Sequence, residues 1–369
     1  MYKISELDTY LFNEGLMEEA YKIFGSHIVC EDGVWGVRFT VYAPHARIIS
    51  VIGDFNNWDS RTCVLEKVDD MGIYSKFVPG IGEWTKYKYM IVTQNGDTIY
   101  KADPYGYFSD LRPESCTKVY DIDHYEWHDQ EYLNKRKKRN HKEEPIAIYE
   151  MNLGSWRKKD NGEFYKYNEL VDILIPYLKD MGFNYVEFMP IYEYPLDESW
   201  GYQGTGYYSA TSRFGVPKDL MYLIDKLHEA DIKVIFDWVP GHTCKDPQGL
   251  YMFDGAPVYE YADPRIRENE VWGTLNMDLG KGIVRSFFLS NAKFFMEYFH
   301  VDGFRLDAVS NIFYYLGDSR NGTNEGGVEF LKRLNGVVKR YDPNVILCAE
   351  DSTTFPNVTK DPYFWWSRI

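Results

Sequence analysis

Two hydrophobic rhythms divide the chain, and they change over near Pro145. Ahead of that point, short runs alternate apolar and polar residues with a period of two, the pattern of half-buried antiparallel strands. Val34 to Ala43, Ile48 to Gly53, Ile73 to Val78 and Tyr87 to Val92 read as such strands. Turn-forming pairs, Asn56-Asn57, Asp69-Asp70 and Asn95-Gly96, fall between them. Several short strands at this spacing predict a small β-sandwich over residues 28–125. Residues 1–27 place Leu11, Leu16, Ala20 and Phe24 at helical spacing and read as a helical lead, with strand texture setting in from Gly33.

Beyond Pro145, near-continuous apolar runs alternate with amphipathic ones. Ile146 to Leu153, Tyr185 to Pro190, Val234 to Val239, Gly303 to Val309 and Val345 to Glu350 read as buried strands. Helical spacing runs near Glu169 to Met181, Leu220 to Ala230, Val284 to His300 and Glu325 to Tyr341. Strands of this kind alternating with helices predict a parallel sheet covered on both faces. Residues 145–369 thus read as a (β/α)8-type barrel carrying about five of its eight units. Between the two regions, residues 126–144 read as a linker. Its basic run, Lys135 to Arg139 with His141 and Lys142, suits a solvated interdomain stretch better than a nucleic-acid patch.

Composition narrows the partners. With 369 residues there is room for two domains and a large core. A formal charge of −15 opposes a nucleic-acid partner and is indifferent to a neutral polymer. Tyr, Phe and Trp make up 17% of the chain, which suits sugar stacking and also a large aromatic core. Cys30, Cys63, Cys116, Cys244 and Cys348 are scattered without metal-ligand spacing, so they read as reduced thiols of a cytoplasmic protein. The first residues lack a basic stretch followed by an apolar run, and no segment is apolar for long enough to span a bilayer. Export and a membrane partner are therefore not expected. None of these patterns fixes an oligomeric state.

The candidate chemistry lies at the ends of the predicted barrel strands, where such folds hold their active sites. In Val301 to Val309, read as one strand, Arg305 and Asp307 are two residues apart and share a face. A guanidinium there should keep Asp307 ionised and its pKa low, as a nucleophilic carboxylate needs. A structural Arg–Asp pair is the alternative. Asp237 closes another apolar run with His242 just after it, and Glu350 closes a third. Placed after such a run, Glu350 should be partly desolvated, with the raised pKa of a general acid. One ionised and one protonated carboxyl on neighbouring strand ends is the equipment of retaining glycosidic chemistry, which sets them ~5–5.5 Å apart. A metal site or an ion-pair network is the other reading of these acids, and Arg305 would repel a metal.

These segments carry a resemblance. Ile235-Phe-Asp-Trp-Val-Pro-Gly-His242, Gly303-Phe-Arg-Leu-Asp-Ala-Val309 and Ala349-Glu-Asp-Ser-Thr353 resemble successive signature segments of the α-amylase superfamily, on its third, fourth and fifth barrel strands. Tyr149-Glu-Met-Asn-Leu-Gly-Ser-Trp156, Ser199-Trp-Gly-Tyr-Gln203 and Trp272-Gly-Thr-Leu-Asn276 narrow the likeness to the 1,4-α-glucan branching enzymes. Gly53-Asp-Phe-Asn-Asn-Trp-Asp59 and Trp84 are similar to the glucan-binding sandwich that precedes such barrels. The resemblance implies Asp307 as nucleophile, Glu350 as acid/base, Arg305 as the group that positions Asp307, and Asp237, His242 and Tyr202 around the donor sugar. It also implies Trp58 and Trp84 as glucan contacts, an α-glucan substrate, and no metal or cofactor. A catalytically dead glucan-binding protein and an α-1,4-glucan hydrolase stay open beside it.

The family's later His-Asp pair and C-terminal β-domain have no counterpart in these residues, which implies little turnover. Trp365-Trp-Ser-Arg-Ile369 stands where the family typically continues towards Gly-Gly-Leu-Gly-Phe-Asp. Codons TGG TGG TCT AGG ATT TGA would encode Trp-Trp-Ser-Arg-Ile and a stop, and read one base later they give Gly-Gly-Leu-Gly-Phe and the start of an acidic codon. A frameshift that truncates a branching enzyme is therefore expected.

Overall fold

In the computed structural model, which describes residues 4–140, 143–356 and 358–360, the period-two runs pair antiparallel and the later runs pair parallel. One four-stranded sheet is ordered Gly25–Glu31, Val34–Tyr42, Ile73–Pro79, Glu66–Lys67. A second is built on Ile48–Gly53 and Lys86–Val92, with Thr98–Lys101, Phe108–Ser109 and Thr117–Lys118 around them. Alternation sends Val37, Phe39 and Val41 from the first sheet, and Ile49, Val51, Tyr87, Tyr89 and Ile91 from the second, into one core. Phe39 and Tyr87 meet edge to face across it, ring centroids 4.8 Å apart.

The sheet begins earlier than Gly33, the point expected from the pattern. Helix Glu6–Glu14 and the short turn Ala20–Lys22 occupy the lead, and then Gly25–Glu31 already pairs with Val34–Tyr42. Asp32 and Gly33 close this hairpin with φ of 49° and 82°, the left-handed pair that suits an Asp-Gly two-residue turn. The strand lies at the sheet's edge and is partly exposed along Ile28, Val29 and Cys30, so it lacks a clean alternation. The lead helix packs on helix Gly282–Tyr298, with Ser286 Oγ donating to Phe12 O at 2.9 Å. The approach is so close that a Cβ on Gly282 would lie 1.6 Å from Asn13 O.

The second region is half of a barrel. Five parallel strands, Ile148–Met151, Tyr185–Phe188, Lys233–Trp238, Gly303–Leu306 and Ile346–Ala349, lie side by side in chain order. Helices Tyr167–Asp180, Pro217–Glu229, Gly282–Tyr298 and Glu325–Tyr341 cover the sheet. Every residue of the third strand is buried, while the first and fifth are partly exposed, as edge strands are. No helix among the described residues is long and apolar enough to cross a membrane.

Lys135, Lys137 and Lys138 of the basic run are exposed as expected, but Arg136 is buried. Helix Gln130–Arg136 docks beneath the barrel, with the Arg136 side chain only 9% exposed and paired to Asp302 and Asp342 at 2.9 Å each. Asp302 also accepts from Tyr132 Oη (2.6 Å) and Val234 N (2.7 Å), and faces His228 Nε2 at 3.0 Å. The other nitrogen of His228 faces Asp129 at 2.8 Å, so the imidazole is held between two carboxylates and its pKa is raised despite burial. His141, Lys142 and the segment Trp365 to Ile369 lie outside the described residues.

Asp302→Ala should cost about 3–5 kcal/mol of unfolding free energy, because it removes one of the two carboxylates held by each of two buried cations, Arg136 and His228. Urea denaturation of the two proteins checks this, and a loss below 1 kcal/mol would contradict it.

Candidate active site

Strand register assembles the site. In the parallel ladder Asp237 pairs with Arg305, and Arg305 with Cys348, so the C-terminal ends of the third, fourth and fifth strands come together. Arg305 Nη1 donates to Asp237 (3.0 and 3.1 Å) and to Asp307 Oδ1 (2.8 Å), and Nη2 lies 3.1 Å from Glu350 Oε2. One guanidinium thus gathers all three acids. The fourth strand stops at Leu306, so Asp307 sits in the turn beyond it. Ala308 follows in left-handed backbone (φ 46°) and turns its N–H to Glu350 Oε2 at 2.8 Å.

Tyr202 and His242 complete the arrangement. Tyr202 Oη donates to Asp237 Oδ2 at 2.6 Å. His242 Nε2 donates to the Tyr202 carbonyl at 3.1 Å, which leaves Nδ1 as a lone pair 3.9 Å from Asp307 Oδ2. These residues open on a hollow of about 410 Å3 lined also by Gln203, Trp272 and Ser310. Asp237 is 1% exposed and lies under Tyr202 and Arg305, not on the lining. Ser310 carries no signal of its own in the sequence. Gln203 and Trp272 do, through the segments Ser199 to Gln203 and Trp272 to Asn276.

The electrostatics reverse two expectations. Burial pushes Asp307 up to about 6, with Arg305 pulling it down and Glu350 pushing it up again. The single guanidinium is shared among three carboxylates, so it does not hold Asp307 low. Glu350 was expected to be desolvated, yet its side chain is 49% exposed. The cause is its strand, Ile346–Ala349, which forms the edge of the sheet and is open on one side. Burial likewise lifts Asp237 to about 7 and lowers His242 to about 4, so His242 is neutral at physiological pH.

Trp58 and Trp84 lie elsewhere, on the sandwich surface, 39% and 51% exposed. Trp58 Nε1 donates to Asp54 at 3.0 Å, and Trp84 stands edge-on to Tyr120 at 5.4 Å. Among the described residues, Glu150, Glu187 and Asp237 bring carboxylate oxygens within 4.8 Å of one another, as do the ligand atoms of His128, Asp225 and Glu229. Arg305 and Tyr202 already occupy Asp237, and His128 is paired with Asp225 at 2.9 Å.

Comparison with known proteins fits this geometry. The carbohydrate-binding module 48 (isoamylase N-terminal domain) family matches residues 23–106, and the alpha amylase catalytic domain family matches residues 170–254. A 1,4-alpha-glucan branching enzyme GlgB of Bacillus caldolyticus is 51% identical over 97% of this chain and 54% of its own length. The same-named protein of Bacillus subtilis (strain 168) is 51% identical over 95% of this chain and 56% of its own. This chain belongs to the 1,4-α-glucan branching enzymes of the α-amylase superfamily. It spans about half the length of the curated branching enzymes it matches. Among solved structures, a putative alpha amylase from Salmonella typhimurium aligns over 89% of this branching-enzyme chain and 49% of its own, with a TM-score of 0.67 at 20% identity. A pullulanase from Paenibacillus barengoltzii covers 89% and 52%, with a TM-score of 0.68 at 18% identity. Both share the fold.

The raised carboxylates set a pH dependence. Asp237 and Asp307 hold protons more tightly folded than unfolded, so stability falls as pH rises from about 4 to about 7. Asp237→Asn should flatten that fall when urea midpoints at pH 5 and pH 7.5 are compared. Parallel curves for parent and variant would remove Asp237 as its source.

Proposed function

We propose that this chain carries the donor half of a branching-enzyme site, with Asp307 as nucleophile and Glu350 as acid/base. The observation behind this is Arg305, which holds both carboxyl groups and Asp237 at three neighbouring strand ends. Asp307 attacks the anomeric carbon of an α-1,4-linked glucose while Glu350 protonates the departing 4-oxygen. The cut chain stays as an ester on Asp307. Glu350 then takes the proton of a glucan 6-hydroxyl, which displaces Asp307 and forms an α-1,6 branch. Tyr202 and His242 hold the donor sugar in this reading, with Asp237 behind them fixing Tyr202 and Arg305, and Trp58 and Trp84 offer exposed rings to glucan on the sandwich. The names of the relatives, 1,4-alpha-glucan branching enzymes, support both the substrate and the transfer.

The free, scattered cysteines support a reducing compartment, the cytoplasm. The net charge of −15 disfavours nucleic acid as a partner. A second reading, glucan binding without turnover, is favoured by the half-exposed Glu350.

Incubation with amylose separates the readings. Weak new α-1,6 signals in proton NMR, without a matching rise in reducing ends, are expected, and Asp307→Asn or Glu350→Gln should abolish them. Reducing ends alone would make the protein a hydrolase. Co-sedimentation with glycogen and neither product would leave binding without chemistry. Trp58→Ala with Trp84→Ala should weaken glycogen binding about tenfold, measured by the same co-sedimentation, without moving the urea midpoint.

A further inference from the structure

The segment Trp272 to Asn276 has no role in the scheme above, yet it builds the wall between two hollows. Thr274–Asn276 pairs antiparallel with His242–Cys244 on one side and with Glu268–Asn269 on the other. Residues 270–273 form the tip of the second hairpin. Asn269 Oδ1 accepts from Trp272 N at 3.2 Å, and Gly273 takes the left-handed backbone (φ 64°) that the turn requires. Trp272 lines the hollow of Asp307 and Glu350, its ring 5.1 Å from that of His242. The next residue back, Val271, lines a separate hollow of about 490 Å3.

That second hollow has the chemistry of a sugar site. Val271 is 89% exposed and Leu316, which also lines it, is 41% exposed. Leu316 sits in left-handed backbone (φ 55°), where a bulky side chain is uncommon. Around these apolar surfaces stand Arg265, Asn269 and Glu270, which offer donors and acceptors to hydroxyl groups. Apolar faces bordered by a few polar groups fit the two faces and the rim of a pyranose ring. Both hollows fall in the ~300–1,000 Å3 range of ligand pockets.

We propose that the hairpin tip is a crest over which an α-1,4-glucan leaving the catalytic hollow continues into the hollow of Val271 and Leu316. Trp272 supports the sugar at the crest and Val271 with Leu316 the sugars beyond it. This rests on the proposed function, since it places the same chain on both sides of Trp272. It makes the tip a determinant of chain length: a short oligosaccharide fills the catalytic hollow alone, and a longer one reaches both.

Calorimetry with maltotriose and maltoheptaose tests it, using the whole chain with Trp58→Ala and Trp84→Ala to silence the sandwich surface. Val271→Ser with Leu316→Ser should lower maltoheptaose affinity about tenfold and leave maltotriose within about twofold. Val271 is exposed enough that Val271→Ser alone leaves folding intact, and it should show the same effect in smaller measure. Trp272→Ala should weaken both sugars, and Trp272→Phe should restore them. An unchanged ratio of the two affinities in the Val271 and Leu316 variants would overturn the crest and leave the proposed function standing. A background protein that binds neither sugar would overturn the proposed function together with it.

Discussion

One cation among three carboxylates is the constraint on which the upper face of the half-barrel depends. Arg305 reaches Asp237 from the neighbouring strand, Asp307 from its own chain and Glu350 from the far side. Register makes this possible, because Asp237 and Arg305 are ladder partners. The charge count is uneven, so burial lifts Asp237 and Asp307 above ordinary carboxylate values even though each touches the guanidinium. In the proposed reaction that surplus of negative charge has a use. An oxocarbenium-like transition state brings positive charge into the hollow, where preorganised carboxylates stabilise it more than water would.

The lower ends of the same strands hold the opposite kind of cluster. Asp302, just before the fourth strand, receives Arg136, His228, Tyr132 and the Val234 amide, and every one of those groups is buried. Here each carboxylate meets a cation, and Asp302 and Asp129 are both pulled below the usual carboxylate range despite burial. Two polar clusters on one pair of strands thus diverge in character. The satisfied one fixes the linker helix to the barrel, and the crowded, partly open one is left able to exchange protons.

Legibility in the sequence followed locality. The five barrel strands and four covering helices each carry their own periodicity, and helix Glu325–Tyr341 is bounded where its amphipathic run is bounded. The grouping of Arg305 and Asp307 follows from spacing along one segment, and it holds even though the strand ends before Asp307. What failed was non-local. Strand Gly25–Glu31 is defined by its partner, not by its own alternation. Arg136 looks like one charge in a basic run until Asp302 and Asp342, far along the chain, close around it. The rise of Asp307 is of the same kind, since it depends on how many carboxylates share one guanidinium and how much water reaches them.

In the proposed reaction Glu350 is the general acid, and the fold leaves it partly exposed before substrate arrives. Its carboxyl is half in solvent, beside the Arg305 guanidinium and the Ala308 amide. A glucan lying in the hollow would cover the exposed side of the carboxyl and exclude water from it, which favours the neutral form. Proton supply to the leaving oxygen would then be coupled to occupancy of the hollow. In the proposed reaction, proton delivery is thereby confined to a hollow that holds a bond to cut.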